Sequence, residues 1–285
     1  MATSVRSVDR QSVRAPVAYQ GVTDQKPCYF ANDHSRDELK LELHEVEIHN
    51  ARLVPNEPSL EREGFILAEH RTEVSDFRNA DAVQTIYAEE IRRLVLEVTG
   101  ADHVEVTGGG VLRFGESSAE SKGRDNSLPA RFIHVDISEE TAALFAGQRE
   151  QKHPGEYAQY RRYAHYNVWR TFSPPPQDVP LALCESASVE PQDLIRATAY
   201  FDAVDKPGAP PLFGFEGFLL RYNPRHRWFY FPDMDQDEAL VFKTFDSDYT
   251  HPCFVPHTAF DDPSCPAGVP PRASIEMRAV AFFKN

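Results

Sequence analysis

The clearest metal-ligating pair in this chain is His134-Val135-Asp136. The run ARFIHVD reads as a strand, and side chains alternate faces along a strand. An imidazole and a carboxylate two residues apart therefore project to one side, about 7 Å from each other. Such a pair can take adjacent positions on one metal ion. A third ligand has to come from a distant strand end, and His257 in FVPHTAFDDP is the best candidate. Two histidines and one carboxylate on one face of an octahedron leave three positions open, the facial arrangement of non-haem Fe(II) oxygenases. H-x-D alone is common in structural settings, so its weight depends on the residues later in the chain.

Beyond His257, Arg272-Ala273-Ser274 opens the final apolar run. Guanidinium and hydroxyl again lie two apart, so they point into the barrel together and can hold a carboxylate by an ion pair plus a hydrogen bond. A 2-oxoglutarate chelated to iron through its keto-acid end needs such a grip on its far carboxylate. Arg278 shares that strand face, so the residues leave open which arginine binds. Arg272 is favoured, being nearer the strand start and paired with Ser274. Asn167, Trp169 and Arg170 in NVWRT are read as a substrate-pocket wall, the alternative being a structural tryptophan with an arginine stacked on it. Lys243, inside the apolar run VFKTF, is expected to face the outer surface.

The elements that must position these groups are mainly β. Leu39, Leu41, Leu43, Val46 and Ile48 alternate and predict a strand or hairpin with one buried face. Val83, Ile86, Tyr87, Ile91, Leu94, Val95 and Val98 recur at helical spacing, with Asn79 to cap the start and Gly100 to end it. A second, shorter helix is expected after Ser138, stopped by Gly147, and a tyrosine-rich amphipathic segment over 157–166. Five strand-like runs come after these: DLIRATAYF, FGFEGFLLRY, HRWFYF, ALVFKTFD and SIEMRAVAFF. Broken by Pro and Gly and lacking βαβ alternation, they predict a barrel or sandwich.

Composition excludes several classes. The 285 residues are 41% hydrophobic and 26% charged, ordinary globular usage. With 44 acidic against 30 basic residues the formal charge is −14, which disfavours a nucleic-acid backbone as partner. No apolar run is long enough to span a membrane, and the polar start lacks a secretory h-region. Cys28, Cys184, Cys253 and Cys265 form no C-x-x-C pair and read as reduced thiols, so a cytoplasmic location is expected. The Cys253–Cys265 separation fits no common zinc template. DMDQDE lacks the sixth-position glycine and twelfth-position glutamate of a calcium loop. TGGG has no following Lys-Ser/Thr, and no G-x-S-x-G elbow is present.

The segments NVWRT, PLALCESASVEPQDL, RWFYFPDMDQDEALVFKTFDS, HTAFDDP and PRASIEMRAVAFF, with GFILAEHRTEVSDF earlier, resemble the AsaB/CmcJ-like hydroxylase/desaturase family of fungal and bacterial secondary metabolism. The resemblance covers most of the chain from about residue 40. It implies a mainly β fold with flanking helices around a double-stranded β-helix (jelly-roll, cupin-like) core. It also implies Fe(II)/2-oxoglutarate-dependent hydroxylation, desaturation or oxidative cyclisation of a small molecule with O₂. His134, Asp136 and His257 fall at the iron-ligand positions, and Arg272, Ser274 and Arg278 in the cosubstrate segment. The expected organisation is a flexible arm over 1–25 and one oxygenase domain over 26–285. Within it, 26–128 would be a β/α part packing on the barrel and 129–285 the β-helix core. A small-molecule substrate is expected, with no nucleic-acid or membrane partner and a homodimer as one assembly option. Two rival readings are a cupin-like metalloenzyme that does not use 2-oxoglutarate, and a non-catalytic accessory protein on the same fold.

Overall fold

The computed structural model describes residues 10–284. Its larger sheet has nine strands in the spatial order β1 (Ser12–Gln20), β3 (Leu41–Asn50), β11 (Trp228–Tyr230), β8 (Leu181–Cys184), β13 (His257–Ala259), β6 (His134–Val135), β10 (Phe213–Leu220), β9 (Leu194–Phe201) and β2 (Cys28–Phe30). The smaller sheet runs β4 (Phe65–Glu69), β12 (Glu238–Asp246), β7 (Arg162–Thr171), β14 (Ala273–Phe283) and β5 (His103–Phe114). The pairings are antiparallel except β3 with β11 and β2 with β9. Phe65, Trp169, Leu183, Phe229, Leu240, Phe242 and Val255 fill the space where the sheets face each other. The molecule is a double-stranded β-helix of the jelly-roll type.

The five strand-like runs of the last third become β9, β10, β11, β12 and β14. The outer face of the smaller sheet, with Val168, Val241, Met277 and Ala279, is covered by Tyr87, Ile91, Leu94 and Val95. Those four lie on a helical run: α1 (Ala80–Ala82), a π-helical turn over Val83–Tyr87, and α2 (Ala88–Thr99). Asn79 caps it by accepting from the amides of Asp81 and Ala82, and Gly100 ends it in the left-handed region at φ 66°. The π turn was not expected from the periodicity. Helix α3 (Glu139–Lys152) starts at Ser138, whose hydroxyl accepts from the Thr141 amide at 3.3 Å. It does not stop at Gly147. A mid-helix glycine costs about 1 kcal/mol, and the last turn is tied to β5 by the Arg149–Glu105 ion pair at 3.1 Å.

Four further expectations are corrected. Residues 12–20 are not a loose arm; β1 pairs with β3 along its whole length and buries Val13, Ala15 and Val17. Pro16 hid the alternation, yet proline is admissible here because β1 is an edge strand. Residues 1–9 of that arm lie outside the described residues. The division at 128/129 is no structural boundary either, because each sheet combines strands from both sides of it. The tyrosine-rich segment is not one element: its second half is the start of β7. On β3, burial is confined to its end at Ile48 and Asn50, with Leu41 and Leu43 exposed. No helix among the described residues is long and apolar enough to cross a membrane.

Candidate metal centre

His134 and His257 are paired across neighbouring strands, β6 against β13, with ring centroids 4.3 Å apart. Asp136 comes immediately after β6 on the same face as His134. Its Oδ1 lies 3.4 Å from His134 Nε2 and 3.6 Å from His257 Nε2. One ligand atom from each residue lies within 4.8 Å of the others, the sole such group among the described residues. Adjacent positions on a six-coordinate ion with bonds near 2.1 Å are about 3 Å apart, so the set is near binding separation.

The surroundings orient these donors. His134 Nδ1 donates to the Phe132 carbonyl at 3.0 Å and His257 Nδ1 to that of Val255 at 3.1 Å. In the tautomer these bonds select, both Nε2 atoms carry a free lone pair aimed at the cluster. Burial, with His134 alongside, pushes His257 down to about 3, so its imidazole stays neutral. Burial opposes ionisation of Asp136. The adjacent His134 imidazole and the Arg278 guanidinium outweigh that, holding the carboxyl well below the usual range. The other oxygen, Oδ2, accepts from Asn167 Nδ2 at 2.7 Å and lies 3.8 Å from Arg278 Nε. Asn167 and Arg278 are themselves register partners on β7 and β14. Behind Asp136, β10 approaches closely at Gly217, where a Cβ would sit 2.5 Å from the Val135 carbonyl oxygen and 2.7 Å from that of Asp136.

Strand parity separates the remaining candidates. On β14, Arg272, just before the strand, and Ser274, Glu276 and Arg278 face inward, while Ile275, Met277 and Ala279 pack on the helix side. Arg272 is buried in the small cavity it shares with His134, Asp136, His257 and Trp169. Its guanidinium lies 5.6 Å from the Trp169 ring centre, and one Nη donates to the Val179 carbonyl at 2.8 Å. Its Nε is buried with no hydrogen-bond partner, and no carboxylate among the described residues pairs with it. Burial and the charge of Arg113 pull its pKa down, as for a cation lacking its anion. The Ser274 hydroxyl donates to the Arg113 carbonyl at 3.3 Å. Arg278 donates to Glu276 at 3.0 Å and pairs with Asp136 only at 3.8 Å, its own Nε also making no hydrogen bond; unlike Arg272, it has carboxylates beside it.

On β7, Asn167 and Trp169 face the cluster, but Arg170 does not. It points to the opposite face, donating to Tyr87 Oη at 3.1 Å and the Gln236 carbonyl at 2.7 Å, with His70 as a further partner. Arg170 is therefore not part of the pocket wall. Lys243 is likewise not at the surface: it is fully buried and donates to Asp246 Oδ2 at 2.8 Å, where Arg162 supplies two more bonds. Sequence reasoning missed Glu276 and Arg113, both lining the small cavity beside His134, Asp136 and His257. Glu276 had a signal, sitting two residues from both Ser274 and Arg278. Gly217 had one too, a glycine in the interior of a strand run, which marks close backbone approach.

The donor set suits a divalent iron with labile positions, and the unpaired buried guanidinium suits a carboxylate beside it. Comparison with known proteins agrees. Residues 17–282 match the family model described as oxidoreductase/YMDC permease-like domain. The hydroxylase/desaturase CTB9 of Cercospora beticola is 30% identical, aligned over 86% of this chain and 78% of that protein. The Fe(II)/2-oxoglutarate-dependent dioxygenase nvfI of Aspergillus novofumigatus is also 30% identical, over 84% and 83%. The solved structure of the iron and alpha-ketoglutarate-dependent endoperoxidase NvfI superposes with a TM-score of 0.77 at 24% identity, covering 97% of this chain and 100% of that one. The chain belongs to this oxidoreductase family, alongside the hydroxylase/desaturases and Fe(II)/2-oxoglutarate-dependent dioxygenases it aligns with over most of their length.

Proposed function

We propose that this protein is an Fe(II)- and 2-oxoglutarate-dependent oxygenase acting on a small secondary-metabolite-type molecule, in the cytoplasm. The observation that carries this is the convergence of His134 Nε2, Asp136 Oδ1 and His257 Nε2 within 4.8 Å. These three would hold the iron. Arg272 would hold the far carboxylate of 2-oxoglutarate, its unpaired Nε gaining the acceptor it lacks. Iron with 2-oxoglutarate and O₂ supplies an oxidant that removes hydrogen from an unactivated C–H bond, releasing succinate and CO₂.

The protein's own contribution is positional. Asn167 fixes the Asp136 carboxylate by its second oxygen, with the Arg278 charge 3.8 Å away, leaving the first oxygen for the metal. Trp169 and Leu181 line the metal-proximal cavity beside Arg272 and limit water there. In this reading Arg278 serves Asp136 rather than the cosubstrate, because Glu276 already neutralises it.

Anaerobic addition of Fe(II) and then 2-oxoglutarate tests the proposal. A visible charge-transfer band requiring both is expected, absent in His257→Ala. If iron binds but 2-oxoglutarate adds no band, the protein is a metalloenzyme of another kind. If iron does not bind, the accessory-protein reading takes its place.

A further inference from the structure

We infer that the 420 Å³ chamber between α3 and the inner faces of β7 and β14 receives the substrate, and that this substrate is an apolar molecule carrying a carboxylate held by Arg149 and His165. This rests on the oxygenase reading above and adds to it the class of molecule oxidised.

The chamber begins at Asp136 and Asn167, beside the metal ligands, and reaches Arg149 and Lys152 on α3. Its volume lies in the range of small-molecule sites. Ile137, Phe145 and Phe215 give its walls an apolar character suited to a carbon skeleton. The polar groups are unevenly satisfied. Glu105 is already bonded by the Tyr157 hydroxyl and by Arg149 Nε, yet Arg149 Nη1 is buried and bonds nothing. His165 shares the inward face of β7 with Asn167, one strand period away. It is 8% exposed, and its Nε2 also has no partner.

Two unmet nitrogens therefore sit on residues lining one chamber, whose far end has two cations to one acid in a chain of net charge −14. Leaving buried donors unmade is costly, and a planar guanidinium matches a carboxylate. Burial and Arg149 push His165 down to about 3, so it offers a neutral N–H beside the arginine. A carboxylate there would place the rest of the molecule along the apolar walls, toward the metal ligands.

The test is calorimetric titration of protein loaded with Mn(II) and 2-oxoglutarate. The probes are the phenylalkanoic acids from phenylacetate to 6-phenylhexanoate and their methyl esters. Uptake of 2-oxoglutarate, measured first, examines the oxygenase reading by itself and fills the Arg272 position. We expect at least one acid to bind about tenfold or more tightly than its ester. Arg149→Gln should weaken that acid by about 10- to 100-fold, with a smaller loss in His165→Phe. Thermal melts of both variants check that they are folded. If 2-oxoglutarate binds but no acid outcompetes its ester, or Arg149→Gln keeps the preference, the carboxylate assignment is wrong while the oxygenase reading stands.

Discussion

In the proposed centre Asp136 meets two demands: one oxygen faces the two imidazoles, and the second accepts from Asn167 with the Arg278 charge 3.8 Å away. Outer partners of metal ligands typically matter about 10- to 100-fold in affinity. Asn167→Ala should therefore weaken Fe(II) binding by about that factor with little change in melting temperature, measured by anaerobic competition with a chelator. Parity explains which residues were legible. His134 and Asp136 are fixed by period two, and His257 by chain order. Asn167 and Trp169 share a face, whereas Arg170 is one residue off and had to point away from them; period two, applied strictly, rejects a wall made of all three. His165 allows a pH test. Its unfolded pKa is near 6.5 and its folded value about 3, so below pH 6.5 the unfolded chain takes up a proton that the native state refuses. The stability this gives is complete above pH 6.5 and fades as pH falls toward 3. From pH 6.5 to 4.5 wild type should lose about 2–3 kcal/mol more than His165→Phe in urea unfolding.

Two inward arginines, Arg272 just before β14 and Arg278 on it, have different surroundings, and in the proposed reading these divide the work. Arg272 lacks an anion; Arg278 has Glu276 and Asp136. Arg272→Lys should raise the 2-oxoglutarate requirement by about tenfold or more, since lysine cannot reproduce a bidentate fork, while Fe(II) affinity stays put. Arg278→Ala should do the reverse. Equal effects of the two substitutions on 2-oxoglutarate would contradict this division. Strand β10 acts through what it lacks. Gly217→Ala brings a methyl against the backbone of Val135 and Asp136 and must shift one strand or the other. We expect weakened Fe(II) binding, although residue 217 touches no ligand side chain, read by the same chelator competition. Four of the late strands were legible as long alternating or apolar runs, and the three-residue β11 by its aromatic run WFYF. Strands β6 and β13, of two and three residues, were not legible as a pair: no local pattern shows that His257 lies opposite His134.

Across the molecule, the two faces of the smaller sheet separate stability from chemistry. Its outer face meets α2 through Ile91, Leu94 and Val95, and there Arg170 ties β7 to Tyr87 and Gln236; its inner face holds Asn167, Trp169, Arg272 and Arg278. The edge strand β1 was illegible for a related reason, since its small and proline-interrupted pattern gains meaning only beside β3. This separation can be measured with metal. An ion that binds the native chain alone, supplied at about 100 times its Kd, adds about 2.7 kcal/mol. For a chain of this size that is about 5–10 °C in melting temperature. Asp136→Ala should abolish the metal-induced rise while leaving the metal-free melt nearly unchanged. Arg170→Met should behave oppositely: it strips the Tyr87, His70 and Gln236 contacts on the outer face and lowers the metal-free melt, yet keeps the rise. Were Arg170→Met to lose the rise as well, the two faces would be coupled through β7, and the proposed iron ligands would depend on the helix packed behind the sheet.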